Sequence, residues 1–387
     1  MRKPTYQYFS LEEYQQRLDA LRSQMEEKGV DAMLITTPEN LYYLSGYQTP
    51  GYYWWQTIIV LLDREPVAVT RRIEDANMRE LSWIEDRRPY EDSDDWIAKT
   101  RDALVDLGLG SKTLGLEYDS YFLTTRDYLR LVAAMPEAGF VDCSGLVEQG
   151  RMIKSPQEID YIRQAARAAE VATLAGIEAA RVGVTENDVA AEMHRAQIKA
   201  GSEYTGLPIF VASGIRSTMS HATWYRRTLE QNEVVFFEVP GCINRYHASL
   251  MRQVYLGDPP EVMTRGMEVV TATLQMAKDN IRPGVPTGDV FEMVKKSLDG
   301  ADLGAKLERR TAYSIGIAFA PDWGEGHIIS ITRGEKKPFQ VGMTFHLIPG
   351  VRVPGVGAIN CSDTILVTED GCETLTGGVE HKLFVKN

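Results

Sequence analysis

Residues 234–256 read Val-Val-Phe-Phe-Glu-Val-Pro-Gly-Cys-Ile-Asn-Arg-Tyr-His-Ala-Ser-Leu-Met-Arg-Gln-Val-Tyr-Leu. The apolar and aromatic ends of this stretch, Val234 to Pro240 and Leu250 to Leu256, predict two strands, and Asn244-Arg245-Tyr246-His247 between them predicts a bend. Further strands are expected at 208–212, 313–319, 327–331, 343–349 and 358–367, joined mostly by short turns. Short turns connect antiparallel neighbours, so an antiparallel sheet covered by helices is the simplest packing.

The covering helices carry their own start signals. Ser155 with Glu158 forms a capping box and Pro156 takes the first helical position. Ile159, Ile162, Ala166, Ala169 and Ala172 then recur at helical spacing, with a stop expected at Gly183. Thr185 with Asp188 opens a second helix that ends near Gly201, and two more are expected between Glu261 and Ile281 and between Asp289 and Leu298. Upstream, Ser10 with Glu13 is expected to form a capping box opening a helix that Gly29 ends, and strands near 31–35, 57–62, 67–70, 114–116 and 140–143 alternate with helices. The chain is therefore expected to divide into an α/β domain at 1–154 and an α+β domain at 155–387.

Composition narrows the function. The chain has 387 residues, 44% hydrophobic and 25% charged, as globular proteins do. Acidic residues outnumber basic ones by 54 to 42, and a net charge of −12 repels phosphate backbones and anionic lipid heads, which argues against nucleic-acid partners. Apolar runs such as Thr57 to Leu62 are too short to span a bilayer, so no membrane association is expected. The amino terminus lacks an apolar signal region, and a cytoplasmic location is the expectation. Cys143, Cys242, Cys361 and Cys372 form no Cys-x-x-Cys pair and read as buried thiols.

Few residues have the character of a site. His221 ends the polar loop Ala-Ser-Gly-Ile-Arg-Ser-Thr-Met-Ser-His, where an imidazole that titrates near neutrality suits proton transfer. Glu238 stands among apolar residues, where a bare carboxylate must find a partner or shift its pKa. An ion pair with an arginine such as Arg252 would satisfy it, and so would a role as a cleft carboxylate. His247 and His346 read equally as satisfied core histidines or as site residues. Asp322-Trp323-Gly324-Glu325 adds two acids and an indole on a loop, or forms only a turn.

Several of these segments carry a resemblance that runs along nearly the whole chain. The capped helix at Ser155, the loop ending in His221, the run Phe236 to Gly257, the Gly342-Met343 strand with Pro349-Gly350, and Asp363-Thr364-Ile365-Leu366-Val367 resemble the pita-bread family of creatinases, proline-specific peptidases and methionine aminopeptidases. The resemblance implies a creatinase-like amino-terminal α/β domain followed by a pita-bread catalytic domain. In the peptidases of that family two Asp, one His and two Glu hold two metal ions. Here the corresponding positions are Glu238, Ser249, Tyr313, Ile348 and Ser362, so one carboxylate remains and neither metal nor other cofactor is expected.

The metal-free branch of the family, creatinase and the ectoine hydrolases, cleaves C–N bonds of small amidine or guanidine solutes. Asn244-Arg245-Tyr246-His247 and Pro321-Asp322-Trp323-Gly324-Glu325 are the segments most similar to that branch. The resemblance implies catalysis by His221 and Glu238 on a small zwitterionic or cationic solute. Tyr246, His247, His346, Tyr313 and Trp323 are candidates to contact the substrate or orient Glu238, and Glu325 is a candidate second anion. Arg72 or its neighbour Arg71 is expected to bind a substrate carboxylate. A homodimer is implied, with Tyr52, Tyr53, Trp54 and Trp55 either forming a lid over the partner's site or a buried dimer patch. The competing readings are a metal-dependent Xaa-Pro dipeptidase and a non-catalytic pita-bread binding protein.

Overall fold

The computed structural model describes residues 1–304, 306–307 and 309–387. It forms two compact units, Met1–Arg151 and Met152–Asn387, a division three residues earlier than the expected one at 154. Lys154 falls in the second unit because its backbone N–H donates to the carbonyl of Gly342 (3.0 Å) and its ammonium pairs with Glu325.

The first unit runs α1 (Leu11–Lys28), β1 (Ala32–Ile35), α2 (Pro38–Ser45), β2 (Thr57–Leu61), β3 (Val67–Val69), α3 (Asp75–Leu81), α4 (Trp96–Asp106), β4 (Thr113–Leu116), α5 (Thr125–Ala134), β5 (Gly139–Asp142) and α6 (Leu146–Met152). The Ser10 hydroxyl accepts the N–H of Glu13, and Gly29 ends α1 at φ 70°, a left-handed angle that glycine adopts without strain. The sheet order is β3-β2-β1-β4-β5, antiparallel through the β2–β3 hairpin and parallel from β1 through β4 to β5. Trp55 belongs to the core of this unit, packed with Leu34, Ile59 and Leu104, and its indole N–H donates to Thr100 (2.9 Å). That placement corrects its expected role in a lid, because a 6% exposed side chain has no surface left to offer a ligand.

The second unit runs α7 (Pro156–Ala179), α8 (Glu186–Lys199), β6 (Phe210–Ser213), β7 (Glu233–Ile243), β8 (Tyr246–Leu256), α9 (Glu261–Asn280), α10 (Thr287–Asp299), β9 (Ala312–Ser314), β10 (Ser330–Ile331), β11 (Thr344–Leu347), β12 (Gly350–Val353), β13 (Gly357–Asn360), β14 (Asp363–Val367), β15 (Cys372–Thr374) and β16 (Leu383–Lys386). The expected capping box forms at Ser155, and the expected helix start at Thr185 is a second one, closed by Asp188. The strands make sheets of order β16-β8-β7-β6 and β10-β9-β11-β14-β15, with β12-β13 as a separate pair. The bend between β7 and β8 is a tight hairpin turn, with Asn244 and Arg245 both at positive φ (47° and 63°), the backbone that matches strand twist.

Register then sorts the side chains. Phe210 and Met251 both pair with Glu238, whereas Arg252 pairs with Phe237. Successive strand residues alternate faces, so Glu238 and Arg252 point to opposite sides of the sheet. Phe237, Val239, Leu250 and Val254 pack with Ala169, Ala172, Val189 and Met193 of α7 and α8. The helix comes so close that a Cβ on Gly241 would lie 2.0 Å from the carbonyl oxygen of Ala165.

The stretch 358–367, expected as one strand, is two, broken at Cys361-Ser362. Ser362 bonds across to β8 there: its hydroxyl accepts the N–H of Met251 (2.7 Å), and its carbonyl accepts from Arg252 (2.7 Å). The expected strand 313–319 likewise ends at Ser314, and α7 stops at Ala179, before Gly183.

Arg252 is committed to Asp363 (3.1 Å), with Lys278 and His381 (2.7 Å) bonding the same fully buried carboxylate, which excludes the considered pair with Glu238. Burial alone would raise the Asp363 pKa, but the His381 hydrogen bond and the charges of Arg252 and Lys278 outweigh it and hold the carboxyl at about 2. Its stabilising share is complete above the ordinary aspartate range and fades as pH falls toward 2. Asp363→Ala leaves two buried cations uncompensated, and chemical unfolding at neutral pH is expected to show a loss of about 3–5 kcal/mol; a loss under about 1 kcal/mol would contradict this account.

Candidate active site

The face of β7 that carries Glu238 opens on a cavity of about 420 Å³. Phe210, Phe236, Met251, Tyr313, Trp323 and Ile348 form one apolar cluster along its walls. Into this surface project Glu238, His221, Asp322 and three arginines, Arg309, Arg310 and Arg352. A concavity with apolar walls and converging polar and charged groups has the form of a small-molecule site.

Glu238 is partly exposed to the cavity and enclosed on its other sides. Burial raises its pKa to about 7, with Asp322 adding to the rise and Arg309 and Arg310 opposing it. Near neutrality the group is therefore divided between acid and carboxylate, the condition that suits proton transfer or pairing with a cation. His221 reaches the cavity from the loop after β6 as expected. It sits at φ 59°, and its ring lies 5.8 Å from that of Phe210. Trp323 and Tyr313 also line the cavity, as expected, and the Trp323 indole N–H donates to the Tyr313 hydroxyl (2.7 Å). His346 stands behind them with Nδ1 2.7 Å from the Tyr313 hydroxyl and Nε2 2.7 Å from that of Ser362. Burial pushes the His346 pKa down to about 3, so the ring is neutral.

The loop that supplies Trp323 is fixed by its own sequence. Asp322 Oδ1 accepts the N–H groups of Trp323 (2.7 Å) and Gly324 (3.1 Å), a local turn that an aspartate side chain favours. The next acid, Glu325, pairs with Lys154 at 2.7 Å, both side chains 1% exposed. This corrects the expectation of Glu325 as an anion facing a ligand, since its charge is already matched inside the protein. Gly206 lies against the loop so closely that a Cβ would stand 1.9 Å from the Asp322 carbonyl oxygen.

Tyr246 and His247, expected at the substrate, are engaged within the second unit. The Tyr246 hydroxyl donates to Glu158 (2.7 Å), and both side chains are buried. His247 accepts the N–H of Gly206 at Nε2 (3.1 Å) and donates from Nδ1 to the Arg245 carbonyl (3.0 Å). It is a satisfied core histidine whose pKa burial drives far below the ordinary value. Within the first unit, Tyr52 packs edge-on against Phe122 (5.3 Å), Arg72 pairs with Glu91 (2.9 Å), and Arg71 pairs with Asp92 (2.6 Å) while stacking on Trp54 (4.4 Å). The cavity has arginines of its own that sequence reasoning missed. Arg309 donates to Asn360 (2.9 Å), Arg310 lies 4.5 Å over the Tyr313 ring, and Arg352 donates to Ser220 (2.6 Å). The Arg309-Arg310 doublet just ahead of β9 was the available signal.

Residues 17–153 match the creatinase/prolidase N-terminal domain, and residues 160–369 match metallopeptidase family M24. The chain belongs to metallopeptidase family M24. An ectoine hydrolase of Halomonas elongata is 31% identical to this M24 hydrolase over 400 residues, covering 98% of each chain. An uncharacterized hydrolase/peptidase of Sinorhizobium fredii is 33% identical over 396 residues, covering 98% of this chain and 99% of the relative. In structure, the Xaa-Pro dipeptidase from Bacillus anthracis matches with a TM-score of 0.83 at 23% identity, over 96% of this chain and 99% of that one. The second unit is thus a pita-bread catalytic domain behind a creatinase-type first domain.

Membership in M24 implies metal, and the donor set here does not fit a pair of divalent ions. Of the five positions named above, Ser249 is fully buried, Ile348 packs in the apolar cluster, and Tyr313 and Ser362 are both bonded to His346. Only Glu238 offers a carboxylate, and guanidinium charge already faces it. Among the described residues no three His, Cys, Asp or Glu side chains come together to hold an ion.

The raised Glu238 pKa sets a stability profile. The folded protein binds this proton more tightly than the unfolded chain, so the contribution is fully present below the ordinary glutamate range and is lost as pH rises through about 7. Glu238→Gln removes the cost of ionising, and thermal unfolding is expected to show the variant gaining on wild type between pH 5 and pH 8. Parallel melting curves across that range would contradict the assignment.

Proposed function

We propose that this M24 hydrolase cleaves a C–N bond of a small amidine or guanidine solute, ectoine or a close relative, without a metal. The observation that carries the reading is the charge pattern of the cavity: one carboxyl poised near neutrality on an apolar floor, and an imidazole and arginines lining the same cavity. A zwitterion with a cationic amidinium at one end and a carboxylate at the other is complementary to that pattern. The full-length likeness to an ectoine hydrolase supports the same substrate class.

In this reading the ionised Glu238 faces the amidinium carbon, first as a charge partner and then as the group that attacks it. Arg309 and Arg310 take the substrate carboxylate, where a planar guanidinium forms paired hydrogen bonds. His221 moves the proton between water and the leaving nitrogen. Attack joins a Glu238 oxygen to the amidine carbon and moves the C=N π pair onto nitrogen; the C–N bond then breaks as the departing nitrogen takes a proton from His221, and water, giving a proton back to His221, displaces Glu238 from the carbon and regenerates the carboxylate.

Incubating the purified protein with ectoine, hydroxyectoine and creatine and following the products by NMR tests the proposal. Turnover of ectoine is expected to survive dialysis against chelators and to rise with pH through about 7 as Glu238 ionises. His221→Ala and Glu238→Ala are each expected to lose about 10²–10⁴-fold. Activity only on Xaa-Pro dipeptides, and only with added manganese, cobalt or zinc, would overturn it.

A further inference from the structure

The hydrogen bonds behind the cavity wall form a chain whose two ends are fixed. At one end the N–H of Met251, which can only donate, gives to the Ser362 hydroxyl (2.7 Å). At the other the indole N–H of Trp323, also only a donor, gives to the Tyr313 hydroxyl (2.7 Å). His346 lies between, 2.7 Å from each hydroxyl. Fully buried between two hydroxyls and bonded to no carboxylate among the described residues, its ring is neutral and carries a single N–H.

Two placements of that proton exist, and they differ in where a surplus one ends. With the proton on Nε2, the imidazole and Met251 both donate to Ser362, whose own proton is then left in a fully buried place with no acceptor among the described residues. An unmade buried O–H costs about 1–3 kcal/mol. With the proton on Nδ1, Ser362 donates to Nε2, and the Tyr313 oxygen accepts from both His346 and Trp323. The phenolic proton is then the surplus one, and Tyr313 borders the cavity. The ring is clamped in place, since a Cβ on Gly324 would lie 2.7 Å from two of its carbons.

We propose that Tyr313 is a further catalytic residue, its hydroxyl held by Trp323 and the Ser362–His346 relay so that it donates a hydrogen bond into the cavity, to the amidine nitrogen of the substrate. The proposal rests on the amidine-hydrolase reading. A planar amidinium offers only N–H donors and gives this hydroxyl nothing to bond. A lone pair appears on nitrogen when the carbon is attacked and becomes tetrahedral, so the bond forms in the transition state and not in the ground state. No proton is transferred in this step. His346 and Ser362 act through Tyr313 as positioning residues, and the positions that resemble metal-ligand sites have become a neutral relay.

Two measurements on the full-length protein test this. With ectoine as the probe, Tyr313→Phe is expected to lower kcat about 10²-fold or more while KM stays within about twofold, because only the transition state loses a bond. Unchanged kcat, or a loss confined to KM, would overturn the catalytic role. Independently of any substrate, nitrogen-15 NMR of the wild-type imidazoles is expected to show His346 as the Nδ1–H tautomer. The Nε2–H tautomer would draw the phenolic proton away from the cavity and sink the proposal. If wild type turns over none of ectoine, hydroxyectoine and creatine, the amidine reading falls, while the tautomer still decides which way the hydroxyl points.

Discussion

A single buried ion pair organises the cavity wall. Lys154 and Glu325 meet at 2.7 Å with almost no exposure, and two charges withdrawn from water in this way contribute little net stability. Their value is positional. Glu325 also receives the Ser314 hydroxyl (3.3 Å), and its backbone N–H donates to the Ser314 carbonyl, so the pair fastens residues 321–325 along the end of β9. With that loop in place the Trp323 indole reaches Tyr313, and Tyr313 reaches His346. Without it, the apolar floor would lose one side and Tyr313 the indole N–H that its hydroxyl accepts.

The second organising constraint is register. The turn at Asn244 and Arg245 fixes which residues of β7 and β8 face each other, and hence which face carries Glu238. A slip of one residue would send Glu238 under the helices and bring Phe237 into the cavity. The same alternation puts Arg252 on the far side, where Asp363, Lys278 and His381 absorb its charge. One hairpin thus separates a structural charge cluster from a chemically available carboxyl.

Much of this was legible before any coordinates. Helix starts at Ser10, Ser155 and Thr185 rest on local side-chain-to-backbone bonds, and local bonds leave local signatures. Glu238 and His221 stood out because a carboxyl in an apolar strand and an imidazole on a polar loop are costly or purposeful wherever the chain goes. The chemistry of His247, Tyr246 and Glu325 permits substrate contact as readily as a structural role. Their actual partners, Gly206, Glu158 and Lys154, lie 41, 88 and 171 residues away along the chain, beyond any local pattern. Arg309 and Arg310 were overlooked for the reverse reason: an arginine doublet before a strand resembles solvated surface until the fold turns it inward.

Glu238 also has a calorimetric consequence. A cation bound beside it favours the carboxylate, so a ligand arriving near pH 7 displaces a fraction of a proton into the buffer. The measured heat of association then depends on the ionisation enthalpy of that buffer, and apparent affinity strengthens in alkaline solution. Occupancy of the cavity is coupled in this way to the acidity of its surroundings.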